Sequence, residues 1–245
     1  MSGRPVFIGT AGWSVPKPFA DLFPAEGSHL ERYARVFSGV EINSSFYRDH
    51  QAKTYARWAA SVPEHFRFSV KLSKVITHEC ALDVDPALIA EKLEGFRSLG
   101  PKLGVVLIQL PPSLAFSLRE CTRFFSRYRV LFDGPTAIEP RHLTWTTAEA
   151  KALLEEFRIS KVMADPERCP IDDFGVLTAG GFYYLRLHGS PVIYRSEYSE
   201  PLLREVAATV DEANALLPGW CIFDNTTFGF ATRDARRVEE LRHGA

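Results

Sequence analysis

Acidic and basic side chains recur at the ends of short β-rich runs in this sequence, at Glu41, Lys71, Glu139, Arg141, Asp165, Arg186 and His188. Carboxylates gathered in one pocket can be pushed to different pKa values, so that one serves as acid and another as base. Glu41, Glu139 and Asp165 are the candidates for those roles. Lys71 suits a Schiff base or the stabilisation of developing negative charge. His188 suits proton transfer near neutral pH. The catalytic candidates are therefore Glu41, Lys71, Glu139, Asp165 and His188. Arg141 and Arg186 match a carboxylate or phosphate in two-point geometry, and are read as substrate-binding.

These residues need a scaffold that brings distant segments together. Runs of β-rich sequence at 6–12, 39–45, 67–73, 104–110, 136–141, 160–165, 182–188 and 220–225 begin about 30 residues apart. Amphipathic helical stretches separate them. A parallel crossover needs a helix to carry the chain back, so the repeat predicts an α/β fold, a (β/α)8 TIM-barrel-like domain covering residues 1–245. Capping boxes at Ser28/Glu31, Ser117/Glu120 and Thr146/Glu149, and Asp85 before Pro86, mark helix starts. Leu88, Ile89, Leu93, Phe96 and Leu99 space one buried helix face. Between Asp165 and Phe182, two prolines and three glycines replace the sixth helix by a short helix or a loop.

Alternation along a strand sorts side chains into the barrel or outward to the helices. With Val40 and Ile42 outward, Glu41 and Asn43 point in. The same parity turns Arg67, Ser69, Lys71, Gln109, Glu139, Arg141, Tyr184, Arg186 and His188 inward. Val162 and Ala164 are read as outward, which turns Asp165 in. In the last strand either Asp224 or Asn225 faces the axis. Polar groups thus crowd the C-terminal mouth, where barrel enzymes hold their chemistry. The plainer reading is a salt-bridge plug; buried charges must be paired or bind something. Substrate-binding candidates around the mouth are Trp13, Asn43, Tyr47, His78, Gln109, Arg141, His142, Trp145, Arg186, Asp224 and Asn225. Aromatic walls are read at Trp13, Phe46, Tyr47, Trp145, Tyr194 and Tyr198.

Twenty-nine basic and 30 acidic residues leave a net charge of −1 across 245 residues, which argues against a nucleic-acid partner. No window reaches the ~18 apolar residues of a membrane span, and the N-terminus carries no signal-peptide pattern. Cys80, Cys121, Cys169 and Cys221 are widely spaced, without zinc-finger or disulfide-framework pattern, and reduced thiols fit the cytoplasm. No metal and no cofactor are expected. A metal cage from Glu41, Glu139, Asp165 and His188 lacks any local motif, and neighbouring cations oppose it.

Several segments together resemble the domain-of-unknown-function 72 family, also called YecE-like. They are Ile8-Gly-Thr-Ala-Gly-Trp13, Val40-Glu-Ile-Asn-Ser-Ser-Phe-Tyr47, Phe68-Ser-Val-Lys71 with Thr77-His78, and Gln109-Leu-Pro-Pro112. Glu139-Pro-Arg-His142 with Trp145, Arg186-Leu-His-Gly189 and Phe223-Asp-Asn225 complete the set. The resemblance implies a TIM-barrel-like fold and singles out the same polar positions. Two departures are Ala11, where the family usually has serine, and Pro140. The resemblance implies no particular reaction.

The residues point to an enzyme doing acid/base chemistry on a small polar, anionic substrate, a sugar phosphate or carboxylate. The alternatives are a metal-dependent hydrolase and a nucleic-acid-binding or processing protein using the aromatic and basic rim. The oligomeric state is left open. A mouth with every charge paired and no cavity would oppose the enzyme reading.

Overall fold

Eight parallel staves close into a (β/α)8 barrel in the computed structural model, which describes residues 4–244. Residues 1–3, part of the stretch read for a signal peptide, lie outside the described residues. The staves are β1 (Val6–Thr10), β2 (Gly39–Ile42), β3 (Arg67–Lys71), β4 (Leu103–Gln109) and β5 (Thr136–Glu139). The sixth is interrupted at Val162 into β6 (Ser160–Lys161) and β7 (Met163–Asp165), and β8 (Tyr183–Leu187) and β9 (Gly219–Phe223) complete the ring. Val162 N donates to Ile138 O at 2.8 Å, so the ladder continues across the interruption.

The larger outer helices are α3 (Ala52–Ala60), α4 (Pro86–Arg97), α5 (Leu118–Leu131), α6 (Ala148–Glu156), α8 (Glu200–Leu216) and α9 (Phe230–His243). Shorter ones are α1 (His29–Tyr33), α2 (Ser44–Tyr47) and α7 (Phe174–Leu177). The last is the short sixth-unit helix that its prolines and glycines require. None of the described helices is long and apolar enough to cross a membrane. The Ser28/Glu31 capping box is formed, and Asp85 caps α4. Ser117 makes no cap bond. Thr147, not Thr146, caps α6, because the preceding turn Leu143–Thr146 takes Thr146 Oγ1 to Leu143 O at 2.8 Å.

Two apolar layers confirm the strand parity almost everywhere. Val40, Ile42, Phe68, Val70, Val106, Ile108, Ile138, Leu185 and Leu187 belong to the outer layer against the helices. Val105, Leu107, Ala137, Val162, Tyr184, Trp220 and Ile222 fill the barrel interior. The sixth stave is the correction. Val162 belongs to the interior and Ala164 packs against it, while Met163 packs outward. Asp165 therefore points out of the barrel. Both faces of that stave are apolar, so an apolar residue there did not mark the outer face.

The seam between β1 and β2 has one backbone bridge, Ala11 to Glu41. Below it, side-chain hydroxyls stand in for the missing ladder. Tyr33 Oη accepts from Thr10 N at 2.8 Å and donates to Gly39 O at 3.2 Å. Gly9 must be glycine here, because a Cβ would lie 1.9 Å from Gly39 O. Tyr33→Phe leaves a buried donor and a buried acceptor without this partner, at about 1–3 kcal/mol. Urea unfolding should show that loss; a change below about 0.5 kcal/mol would mean the seam does not depend on the hydroxyl.

Candidate active site

Three side chains climb the inner face of the seventh stave at two-residue intervals: Tyr184, Arg186 and His188. The spacing is the strand repeat itself, which points alternate residues to one face. Tyr184 marks the change from apolar to polar interior. Its ring stacks on Trp220 with centroids 6.0 Å apart, and its hydroxyl donates to Glu41 Oε2 at 3.1 Å and contacts Ser69 Oγ at 2.9 Å.

Arg186 is fully buried at the centre. Its Nε and Nη2 donate to the two oxygens of Glu41 at 2.9 and 2.8 Å. Nη1 donates to Glu139 Oε2 at 3.1 Å, and Nη2 also lies 2.9 Å from Asp224 Oδ2. One guanidinium thus links carboxylates from the second, fifth and eighth staves. Its planar fork suits this; a lysine ammonium would not reach all three in that geometry.

His188 sits above it between two carboxylates. Nε2 is 3.0 Å from Glu139 Oε1 and Nδ1 is 3.1 Å from Asp224 Oδ2. Two acceptors on two ring nitrogens suit the imidazolium, the one form in which both donate. Burial lowers the His188 pKa, but the bonds to Asp224 and Glu139 outweigh it and the pKa ends above the ordinary value. Glu139 Oε1 also receives Arg141 Nε at 2.9 Å, Arg141 Nη2 at 2.8 Å and Gln109 Nε2 at 3.2 Å. Burial would raise the Glu139 pKa; Arg186, His188 and Arg141 prevail and hold it well below the usual carboxylate range. Asp224 is also lowered, with burial opposed by Arg186, His188 and Lys71.

Lys71 differs from the other cations. It is 4 % exposed, and among the described residues no carboxylate lies within 4.0 Å of its ammonium. Nζ rests 4.1 Å from the centroid of Phe46. Burial, and next Arg186, push its pKa down to about 8, against the pull of Glu41, Asp224 and Glu139. Among the described residues, the mouth thus holds one ammonium outside any close ion pair.

A slot of about 10 Å3 reaches Glu139, Arg141 and His188 from the outside, which is room on the scale of one water. Ile193 and Tyr194 roof it, and Arg168 lines its side. Tyr194 stands edge-on over His188 with centroids 5.6 Å apart. The roofing loop, 189–198, is pinned by Asn225 Nδ2 to Ser196 O at 2.9 Å. Gly189 has φ +99°, and a Cβ there would lie 2.9 Å from Ser196 O.

The structure brings Glu41, Lys71, Gln109, Glu139, Arg141, Arg186, His188 and Asp224 to one place. Asp165 is not among them. Its carboxylate accepts from Tyr198 Oη at 2.6 Å, on the outer side of the stave. Asp224, not Asn225, faces the axis; Asn225 bonds Asp234 Oδ2 at 2.8 Å as well as the loop. His142 caps the following turn, its Nδ1 accepting from Thr144 N. Trp145 is fully buried with Nε1 donating to Leu114 O, and Tyr198 is buried too, so neither offers a rim surface. His78 is edge-on to Phe46 at 4.9 Å, with its Nδ1 at Thr77 Oγ1. Tyr47 is 66 % exposed, and Trp13 and Asn43 line a separate groove.

The four-donor metal cage does not assemble: Glu41 and Glu139 are engaged by Arg186, and Asp165 points away. Among the described residues no group of three or more His, Cys, Asp or Glu is placed to hold a metal ion. Sequence reasoning missed Arg168, whose place beside the slot depends on the fold of an irregular loop. The charged pair Glu167–Arg168 within that proline-bearing loop was the available signal.

A family model described as "Protein of unknown function DUF72" matches residues 7–244. The chain belongs to the DUF72 family. It is 34% identical over 106 residues to the UPF0759 protein YecE of Escherichia coli, a match covering 43% of this chain and 38% of that protein. It is 28% identical over 148 residues to UPF0759 protein YunF of Bacillus subtilis, covering 57% and 52%. These matches therefore span about a third to a half of the relatives' lengths.

Solved DUF72 structures share the fold along the whole chain. One from Enterococcus faecalis superposes with a TM-score of 0.82 at 20% identity, covering 97% of this chain and 95% of that one. One from Thermotoga maritima gives 0.78 at 24%, covering 98% and 100%. D-psicose 3-epimerase from Clostridium cellulolyticum, solved with D-tagatose, gives 0.56 at 10%, covering 88% and 92%, and is a likeness of fold alone.

Proposed function

We propose that this DUF72 protein is an enzyme that binds a small, polar, anionic substrate at the C-terminal mouth and moves protons on it. The observation that carries the reading is Lys71, a buried ammonium with no carboxylate within 4.0 Å among the described residues. Holding such a charge out of water is costly unless something pairs with it, and a substrate anion is a suitable partner. Glu41 is turned down onto Arg186, and Glu139, which reaches the slot with Arg141 and His188, has both its oxygens engaged by cations. When His188 is protonated, four cationic groups face three carboxylates.

Roles follow from position. Lys71 and Arg141 hold the substrate anion or an oxyanion that develops on it. His188, kept cationic by Glu139 and Asp224, donates a proton. Arg186 fixes the carboxylates and touches no substrate. The slot of about 10 Å3 is too small for a metabolite, so loop 189–198 must lift to admit one. The substrate class is a sugar phosphate or a carboxylated metabolite, and the reaction an isomerisation, lysis or hydrolysis. A fold neighbour solved with D-tagatose is compatible with a sugar and adds no more than that. These side chains do the chemistry without a resident cofactor, and the proposed location is the cytoplasm, on four unpaired cysteines.

Incubation with pooled sugar phosphates and hydroxycarboxylates in D2O, followed by NMR, tests this directly. C–H to C–D exchange or a new product is expected, and Lys71→Met should abolish it. No exchange, no product and no Lys71-dependent anion binding would sink the reading.

A further inference from the structure

A second concavity opens on the same face of the barrel, beyond the ends of β1 and β2, and encloses about 290 Å3. One wall is aromatic. Trp13 and Trp58 meet edge to face with centroids 4.9 Å apart. The rest is polar, from Asn43, Arg48 and His50. Gly12, at φ +88°, leaves open space where a Cβ would have stood, with nothing within 4 Å.

Two of the polar groups, Asn43 and Arg48, lack partners among the described residues. Asn43 precedes α2 yet makes no cap bond, and its Oδ1 is buried without a hydrogen-bond partner among the described residues. Such an atom calls for an explanation; the Asn43 side chain as a whole is only half-buried, and turning its amide outward gives it a ligand hydroxyl. Arg48 is exposed, and among the described residues no carboxylate lies within 4.0 Å of it. Its neighbour Asp49 is engaged by Lys92 at 2.7 Å. His50 Nε2 is 2.8 Å from Ser44 Oγ, and its ring packs edge-on to Trp58 at 4.9 Å. These two groups form a second donor–acceptor pair beside the indoles.

We infer that this groove binds the ring of a monosaccharide phosphate. The C–H face of the sugar lies on the indole wall, ring hydroxyls reach the Asn43 amide and the Ser44–His50 pair, and the phosphate meets Arg48. The tilted indoles offer no parallel slot for a flat base. The groove shares no lining residue with the charged cluster, and the inference rests on the reading above only for the class of ligand, a sugar phosphate. The groove itself stands on Asn43, Arg48 and the two tryptophans.

Tryptophan fluorescence tests it, because Trp13 and Trp58 line the groove while Trp145 and Trp220 are buried elsewhere. Glucose 6-phosphate and ribose 5-phosphate are titrated at millimolar concentrations against the whole protein, with inorganic phosphate and methyl glucoside as comparison probes. A saturable change with the sugar phosphates is expected, and a much weaker one with either comparison probe. Arg48→Gln and Asn43→Ala should each weaken it about tenfold. Both variants must first show the wild-type circular dichroism spectrum; Asn43→Ser and Arg48→Ala serve if either fails. No saturable change, an equal response to inorganic phosphate, or binding untouched by both variants overturns the inference. Loss in Lys71→Met with full retention in the Arg48 and Asn43 variants places the ligand at the charged cluster instead. That result overturns the groove and leaves the functional reading standing.

Discussion

Arg186→Leu is expected to destabilise the protein severely at neutral pH and to reverse the sign of its stability against pH. Leucine is apolar and smaller, and it would leave Glu41, Glu139 and Asp224 without the group that holds them together. Removing one partner of a buried ion pair costs about 3–5 kcal/mol, and here one side chain serves three carboxylates. That is a large share of the roughly 5–15 kcal/mol that holds a domain folded. In the wild type, Glu139 and Asp224 have folded pKa values below their unfolded ones. Their contribution is complete above the unfolded values, near 4.5 and 3.8, and is lost as pH falls through the folded ones. Without Arg186, burial dominates and raises those carboxyl pKa values. The variant then binds protons more tightly folded than unfolded, so acid stabilises it. Urea unfolding of both proteins between neutral pH and pH 4 gives the slopes. A variant as stable as wild type at pH 7, or one with an unchanged slope, would show that Arg186 is not what holds the carboxylates.

The residues of that cluster were legible in the sequence for a simple physical reason. In the second to fifth and the seventh staves, the polar residue near the C-terminal end falls out of phase with the apolar residues that face the helices, so alternation alone places Glu41, Lys71, Gln109, Glu139, Arg186 and His188. The rule fails where both faces are apolar. Val162 and Ala164 belong to the interior, and reading them as outward turned Asp165 the wrong way. What roofs the mouth was not legible either. Tyr194 reaches His188 because Asn225, from beyond the eighth stave, holds the loop at Ser196, and no local pattern encodes that contact. Rim aromatics were misjudged for a related reason. Trp145 has the composition of a wall residue, but a buried bond from its indole to Leu114 O commits it to packing. Local caps show the same limit: Ser28 binds as its spacing predicts, whereas Ser117, with the same spacing, makes no cap bond.

Lys71→Met is expected to stabilise the protein while removing its anion binding. The ammonium is buried, rests on Phe46 and has no carboxylate within 4.0 Å among the described residues. Its folded pKa, pushed down to about 8 by burial and then by Arg186, lies below the ordinary 10.5. Between those values the unfolded chain holds a proton that the folded chain has released, so unfolding takes up a proton and stability rises with pH. Below pH 8 both states are charged, and the folded state carries the full cost, on the order of 3 kcal/mol. Methionine has a similar length, no charge and no desolvation cost. Its loss of the contact between cation and ring removes up to about 2 kcal/mol of the gain. A net rise of about 1–3 kcal/mol at pH 7 is therefore expected, with the rise between pH 8 and 10.5 absent from the variant. Guanidinium unfolding at pH 7 and pH 10 measures both. A less stable variant at pH 7 would mean that the ammonium is satisfied within the fold, and would remove the argument that it is held ready for a substrate. A more stable variant that no longer binds anions would show stability given up for function, which is how a side chain kept for a ligand differs from one kept for the fold.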